Sequence, residues 1–169
     1  LIVAMLGLIV WDVLRGGVSR LSLSFLLEAP TEGMTSGGVF PAIYGTALLT
    51  LLMTVAVVPV GVMTAIYLQE YTNPYSNGTR LIRMAINNLA GVPSIVFGLF
   101  GLGFFIGIIG TGMDKLFYGT GRPVWGQPAI IWASLTMALL TLPVVIVSTE
   151  EALRAIPREL KEASYALGA

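Results

Sequence analysis

Three long windows of this chain carry no charge. Between Glu32 and Glu70 lie 37 uncharged residues, between Arg83 and Asp114 lie 30, and between Arg122 and Glu150 lie 27. A bilayer core of about 30 Å is crossed by roughly 20 apolar residues in helical form, so each window is long enough to span it. The competing reading is a buried core helix of a water-soluble domain, and three such windows in 169 residues weigh against it. The chain reads as an integral membrane protein.

Composition agrees and removes several chemistries. The chain is 56% hydrophobic and 11% charged, against roughly 25% charged in a soluble domain. Nine basic and nine acidic residues cancel, so no net field argues for nucleic acid or an anionic surface. There is no cysteine, which excludes disulfides and thiolate metal sites. There is no histidine either, which removes the commonest general base, the usual zinc ligand and the histidine-dependent nucleophiles. No catalytic residue, metal site or cofactor is expected.

The expected fold is all-α, a polytopic transmembrane helical bundle treated as one domain over residues 1–169. Membrane helices are expected at about 40–68, 87–109 and 128–153. The first eleven residues, LIVAMLGLIVW, are apolar before Asp12 intervenes, and 1–14 is read as part of a first helix whose start is missing. Each of the three spans holds a proline, Pro59, Pro93 or Pro143. Each removes one helix bond and frees a carbonyl four residues earlier, at Val55, Leu89 and Leu139. Gly98, Gly101, Gly103, Gly107 and Gly110 thin the second of these spans, and Gly103-Phe-Phe-Ile-Gly107 fits the small-xxx-small packing pattern. Residues 15–39 read as a long loop with a short apolar segment. Residues 69–86 turn at Asn73-Pro74 and resume as a helix carrying Arg80 and Arg83, and residues 111–127 place Tyr118 and Trp125 at headgroup level.

The end of the chain differs from the rest. Pro157 suits the first turn of a helix and Gly168 the position just past its end. The intervening helix, 157–167, is a rod of about 16 Å, too short and too polar to cross a bilayer. Ile156, Leu160, Ala163 and Leu167 fall on one face, and Arg158, Glu159, Lys161 and Glu162 on the other. With Ala163, Ser164 and Gly168 offering almost no side chain, a partner could approach the backbone closely. An interfacial helix and a docking helix for a soluble partner both fit.

Glu162-Ala163-Ser164-Tyr-Ala-Leu-Gly168 resembles the E-A-A-x-x-x-G signature of permease subunits of binding-protein-dependent ABC importers, with Ser in place of the second Ala. The runs STEEALRAIPRELKEASYALGA, NNLAGVPSIVFGLFG, GGVFPAIYGTALLT and AIYLQEY are similar to the phosphate-specific, PstA-type permeases. SFLLEAPTEG followed by GGVFPAIYGT fits that type better than its PstC-type sister. The similarity runs from about Leu14 to the end.

The resemblance implies a type I ABC importer permease fold, here a fragment with about four membrane helices, the first truncated. The family pattern leads one to expect the rest of the coupling motif and two further membrane helices. The terminal segment becomes a cytoplasmic coupling helix in which Glu159, Glu162, Ala163, Ser164 and Gly168 meet an ATPase subunit. That orientation puts loops 15–39 and 111–127 outside and 69–86 inside, with five Lys and Arg inside against four outside, so the positive-inside count barely contributes. Expected partners are a PstC-type permease, ABC ATPase subunits, an extracytoplasmic phosphate-binding protein and membrane lipid, with no nucleic acid. The expected setting is a bacterial or archaeal plasma membrane, crossed several times.

No GxxxxGK[ST] phosphate loop occurs, so ATP is expected to be held and hydrolysed in a separate subunit. The spans offer a translocated anion only hydroxyls, among them Thr46, Thr50, Thr54, Thr64, Ser134, Thr136 and Ser148. Ser94, beside Pro93, and Thr141, two before Pro143, are the path candidates, with satisfaction of backbone groups as the alternative role. An ion-coupled secondary transporter is disfavoured because no carboxylate is expected within a span. An intramembrane enzyme is disfavoured by the missing histidine. A permease of the same fold for another solute stays open.

Overall fold

Helices occupy all three charge-free windows. The computed structural model describes every residue except 19, 20, 120, 122, 158, 160, 161, 164, 165 and 169. The chain divides into two compact units, Leu1–Leu48 and Leu49–Ala169.

In the first unit α1 spans Ile2–Gly17 and buries no residue. Helix α2, Leu23–Leu27, is capped by Ser22, whose Oγ accepts from the Phe25 N–H at 3.2 Å. A two-residue antiparallel pair follows, β1 Pro30–Thr31 and β2 Ser36–Gly37, with Pro30 opposite Gly37 and Thr31 opposite Ser36. Elements this short have no periodicity to read, and this pair is absent from the sequence-based expectation. Its connection runs through three left-handed residues, Glu32, Gly33 and Met34, at φ 48°, 65° and 73°. The Glu32 carbonyl accepts from Thr35 Oγ1 at 2.7 Å, and its carboxylate accepts from Ser36 Oγ at 3.0 Å.

The membrane-capable helices are α3, Phe40–Tyr71, α5, Ser94–Phe117, and α6, Ile130–Arg154. The last turn of α3, Tyr67–Tyr71, and the middle of α5, Gly101–Gly110, are π-helical. Between them α4, Asn77–Ala90, starts after an Asx turn in which Asn73 Oδ1 accepts from the Tyr75 N–H at 2.9 Å, and Ser76 caps it.

Pro93 is not inside a helix. Gly91, Val92 and Pro93 break the expected 87–109 span, and Pro93, at φ −57° and ψ 138°, is the N-cap of α5. The Leu89 carbonyl, expected to be freed by Pro93, instead accepts from Val92 at 3.2 Å in the turn that ends α4. Pro59 and Pro143 do lie inside α3 and α6, and Pro143 is fully buried.

Helix α6 is the centre of the second unit, touching α4, α5 and the last turn of α3. One core cluster joins Ala65 and Leu68 of α3 to Ile146 of α6, with Ile86 and Leu142 packed against it. Aromatic packing supports the other end of α6. Phe105 stacks on Trp132 at 6.2 Å, and Trp125 meets Trp132 edge-on at 6.3 Å while its carbonyl accepts from Trp132 Nε1 at 2.8 Å. Much of the surface of the three spans is exposed and apolar, as expected where lipid or further protein provides the cover.

The close approach between α5 and α6 runs through Gly101. A Cβ there would lie 2.9 Å from Thr136 Cγ2, whereas Gly98 and Gly103 have nothing within 4 Å and Gly107 meets only the Leu102 carbonyl of its own helix. Among the described residues, a Cβ at Gly103 or Gly107 would meet no second helix.

Candidate functional site

The densest polar construction lies where the last turn of α3, the middle of α4 and the end of α6 meet. Ser76 fixes the start of α4, and two turns later Arg83 leans toward α6. Its Nη1 donates to Glu150 Oε2 at 2.6 Å and its Nη2 to the Leu68 carbonyl at 3.2 Å. Arg154, one turn beyond Glu150 on α6, donates from Nη2 to the same Glu150 oxygen at 3.3 Å and from Nε to Gln69 Oε1 at 3.2 Å. Three separate segments are thus tied by two guanidinium groups and one carboxylate.

Burial sets the energetics. The Glu150 side chain is 10% exposed, Arg83 28% and Arg154 53%. A carboxylate taken this far from water is tolerated only when paired. Among the described residues Glu150 Oε1 is buried and has no hydrogen-bond partner, because both arginines use Oε2. A cavity of about 190 Å³ adjoins the cluster, walled in part by Arg83, Asn87, Glu150 and Arg154.

These residues overturn one expectation. Glu150 lies inside α6, where no carboxylate was anticipated within a span. Its pairing with two arginines withholds it from the free state that an ion-coupling carboxylate needs. Sequence reasoning passed over Arg83, Glu150 and Arg154 as site residues, although a signal was present. Arg83 opens the second charge-free window and Glu150 closes the third, so two successive crossings return them to the same level.

A second polar anchor holds the backbone of Val124, Trp125 and Gly126. Asp114 Oδ1 accepts from the N–H groups of Val124 and Trp125 at 3.0 and 2.8 Å, and Oδ2 from Gly126 at 2.7 Å. One carboxylate therefore holds three consecutive backbone donors. Gly126 allows this because a Cβ there would lie 3.0 Å from the carboxylate.

The sequence-derived candidates fall elsewhere. Glu159, Glu162 and Ala163 are helical and exposed, and the Leu167 N–H donates to the Ala163 carbonyl at 3.3 Å. Gly168 is exposed at φ +85°, the left-handed conformation that glycine adopts past a helix end, with nothing within 4 Å of a would-be Cβ. Ser164 lies outside the described residues. Ser94 is exposed at the start of α5. Thr141 is half-buried, and its hydroxyl bonds the Met137 and Ala138 carbonyls at 2.9 and 3.2 Å. Thr46, Thr54, Thr64, Ser134, Thr136 and Ser148 likewise donate to the carbonyl four residues back. Their single donors are spent on their own helices. The structure brings neither path candidate to the Arg83–Glu150 cluster.

Comparison with known proteins supplies the wider context. Residues 57–169 match the family of binding-protein-dependent transport system inner membrane components. Among curated relatives, a probable ABC transporter permease of Bacillus subtilis, YqgI, is 32% identical over 92% of the chain and 48% of its own length. The phosphate transport system permease protein PstA of Mycobacterium leprae is 40% identical over 79% of the chain and 38% of its own length. PstA of Yersinia pestis is 34% identical over 95% and 49%. The chain thus spans about half or less of the relatives it matches. No solved structure matches it. The family match reaches from the middle of α3 through the charged cluster to the terminal segment, and on that ground the protein belongs to the inner-membrane components of binding-protein-dependent transport systems.

Proposed function

We propose that this chain is part of the permease of an ATP-driven importer of inorganic phosphate, set in a bacterial or archaeal plasma membrane. The observation that carries the reading is the identity of 34–40% to proteins named phosphate transport permeases, sustained over 79–95% of the chain. In this reading the chain performs no covalent chemistry. It supplies membrane helices that form part of the path, pairs with a PstC-type permease, and receives phosphate from an extracytoplasmic binding protein. Energy comes from ATP hydrolysed in separate ATPase subunits.

The terminal segment, 157–167, would be the coupling helix. Exposed Glu159 and Glu162 offer charge, while Ala163, Ser164 and Gly168 let a partner approach the backbone. The charged cluster lies at the root of this segment, since Arg154 ends α6 three residues before Pro157. A push on the terminal helix would therefore reach α4 and α3 through charge-assisted hydrogen bonds as well as packing. Ser94 and Thr141 remain path candidates, although Thr141 would serve an anion poorly while its hydroxyl is bonded to Met137.

The test is uptake of labelled phosphate by cells carrying the complete transport operon. ATP-dependent uptake that excess sulfate does not reduce, and that is lost when this subunit is deleted, is the expected result. Equal competition by sulfate would favour a permease of the same family for another solute, a reading to which the solute-neutral name of the Bacillus subtilis relative is open. Orientation is tested by single cysteines. One at Ser36 should react with a membrane-impermeant reagent in intact cells and one at Ser76 should not, and the reverse pattern would invert the arrangement.

A further inference from the structure

We propose that the cavity beside the Arg83–Glu150–Arg154 cluster is a low-affinity binding site for hydrogen phosphate. The ligand chemistry follows from what its walls lack. Each guanidinium has five N–H groups. The hydrogen bonds above engage Arg83 through Nη1 and Nη2 and Arg154 through Nε and Nη2, so donors remain on both. The Asn87 amide adds donors from α4. Against these stands, among the described residues, one buried acceptor without a donor, Glu150 Oε1.

A ligand matching these walls must accept from the guanidinium groups and also donate to the carboxylate. Metal ions and ammonium groups cannot accept, and two arginines repel them. Sulfate near neutral pH has acceptors only, and its oxygens would face the lone pairs of Glu150. Phosphate near neutral pH keeps at least one proton and so does both. The two arginines are balanced by Glu150 and the exposed Glu151, so the walls carry no net charge, in keeping with weak binding. A cavity of about 190 Å³ exceeds the roughly 30 Å³ share of a single water, leaving room for an oxyanion. The site deepens the phosphate-importer reading and rests on it for the supply of ligand; the recognition chemistry comes from the side chains.

The experiment uses the complete importer in lipid nanodiscs without its binding protein, with inorganic phosphate as the probe, followed by equilibrium dialysis of the labelled ion. Saturable binding that equimolar sulfate does not displace is expected. Glu150→Gln should lower the preference for phosphate over sulfate by about tenfold or more, the scale of one charge-assisted hydrogen bond, because an amide can donate to sulfate. Asn87 is exposed and outside the ion pair, so Asn87→Asp should fold normally and weaken phosphate binding about tenfold through like charge. These permease variants separate the site from phosphate held by an ATPase subunit. Absence of saturable binding, equal displacement by sulfate, or binding unchanged in Asn87→Asp would each overturn the proposal. If the wild-type importer carries phosphate and shows no such binding, the site falls and the importer reading stands. If the site binds as described in a complex that imports a different solute, the importer reading falls instead.

Discussion

Arg83 and Glu150 stand 67 residues apart in the chain and 2.6 Å apart in space. The contact pins α4 to the end of α6, and Arg83 also holds the Leu68 carbonyl in the π-helical turn that ends α3. That turn breaks the ordinary ladder of α3, so its carbonyls are available to a side chain. The cluster joins three elements that hydropathy alone would treat as independent.

The two arginines should differ in weight. Removing Arg83 leaves Glu150 buried with only the more exposed Arg154, so Arg83→Ala should cost about 3 kcal/mol, the lower end for a broken buried pair. Arg154→Ala, at a half-exposed position, should cost at most ~1 kcal/mol. Thermal unfolding in detergent should therefore rank Arg83→Ala well below Arg154→Ala. Equal midpoints would show that the pair does not hold the helices together.

Gly101 and Gly103 should behave oppositely despite being two residues apart. Gly101→Ala forces a methyl against the β-branched, stiff Thr136, and overpacking of that kind costs roughly 1–3 kcal/mol. Gly103→Ala meets open space and should be neutral within about 0.5 kcal/mol. Thr136→Ala should restore part of the Gly101→Ala loss. Protein levels and thermal midpoints of the three variants decide it; an equal effect at both glycines would refute the assigned contact.

Asp114 should control the order of the loop through Trp125. Asp114→Ala removes the acceptors of three consecutive backbone donors. The loop should become sensitive to protease. Asp114→Asn, which keeps one acceptor oxygen, should fall between. No change in loop protection would mean that packing of Trp125 on Trp132 suffices.

At the terminal segment, Glu162→Lys should reduce uptake while leaving membrane insertion intact, because it reverses an exposed charge on the proposed docking face. Gly168→Asp should do the same, with an added strain of roughly 1–2 kcal/mol for a side chain at φ +85°. Normal import rates in both variants would remove the coupling role from this segment.

The residues' own chemistry specifies a chain that crosses a membrane as helices. Charge-free windows of 27–37 residues leave a backbone no partner in hydrocarbon except its own ladder. It also specifies the turn at Asn73-Pro74 and the left-handed Gly168, because both depend on the residues' own backbone preferences. Hydropathy could not show that Pro93 begins a helix instead of kinking one, since the decision rests on how Gly91 and Val92 close the turn before it. Nor could it show which glycine meets α6. Spacing offers Gly101 and Gly103 alike, and only the rotation of α5 against Thr136 separates them. The same holds for Glu150, which local sequence presents as the first charge after a span. Only the packing of α6 against α4 and the end of α3 buries it, because burial and pairing depend on distances between segments that no local pattern encodes.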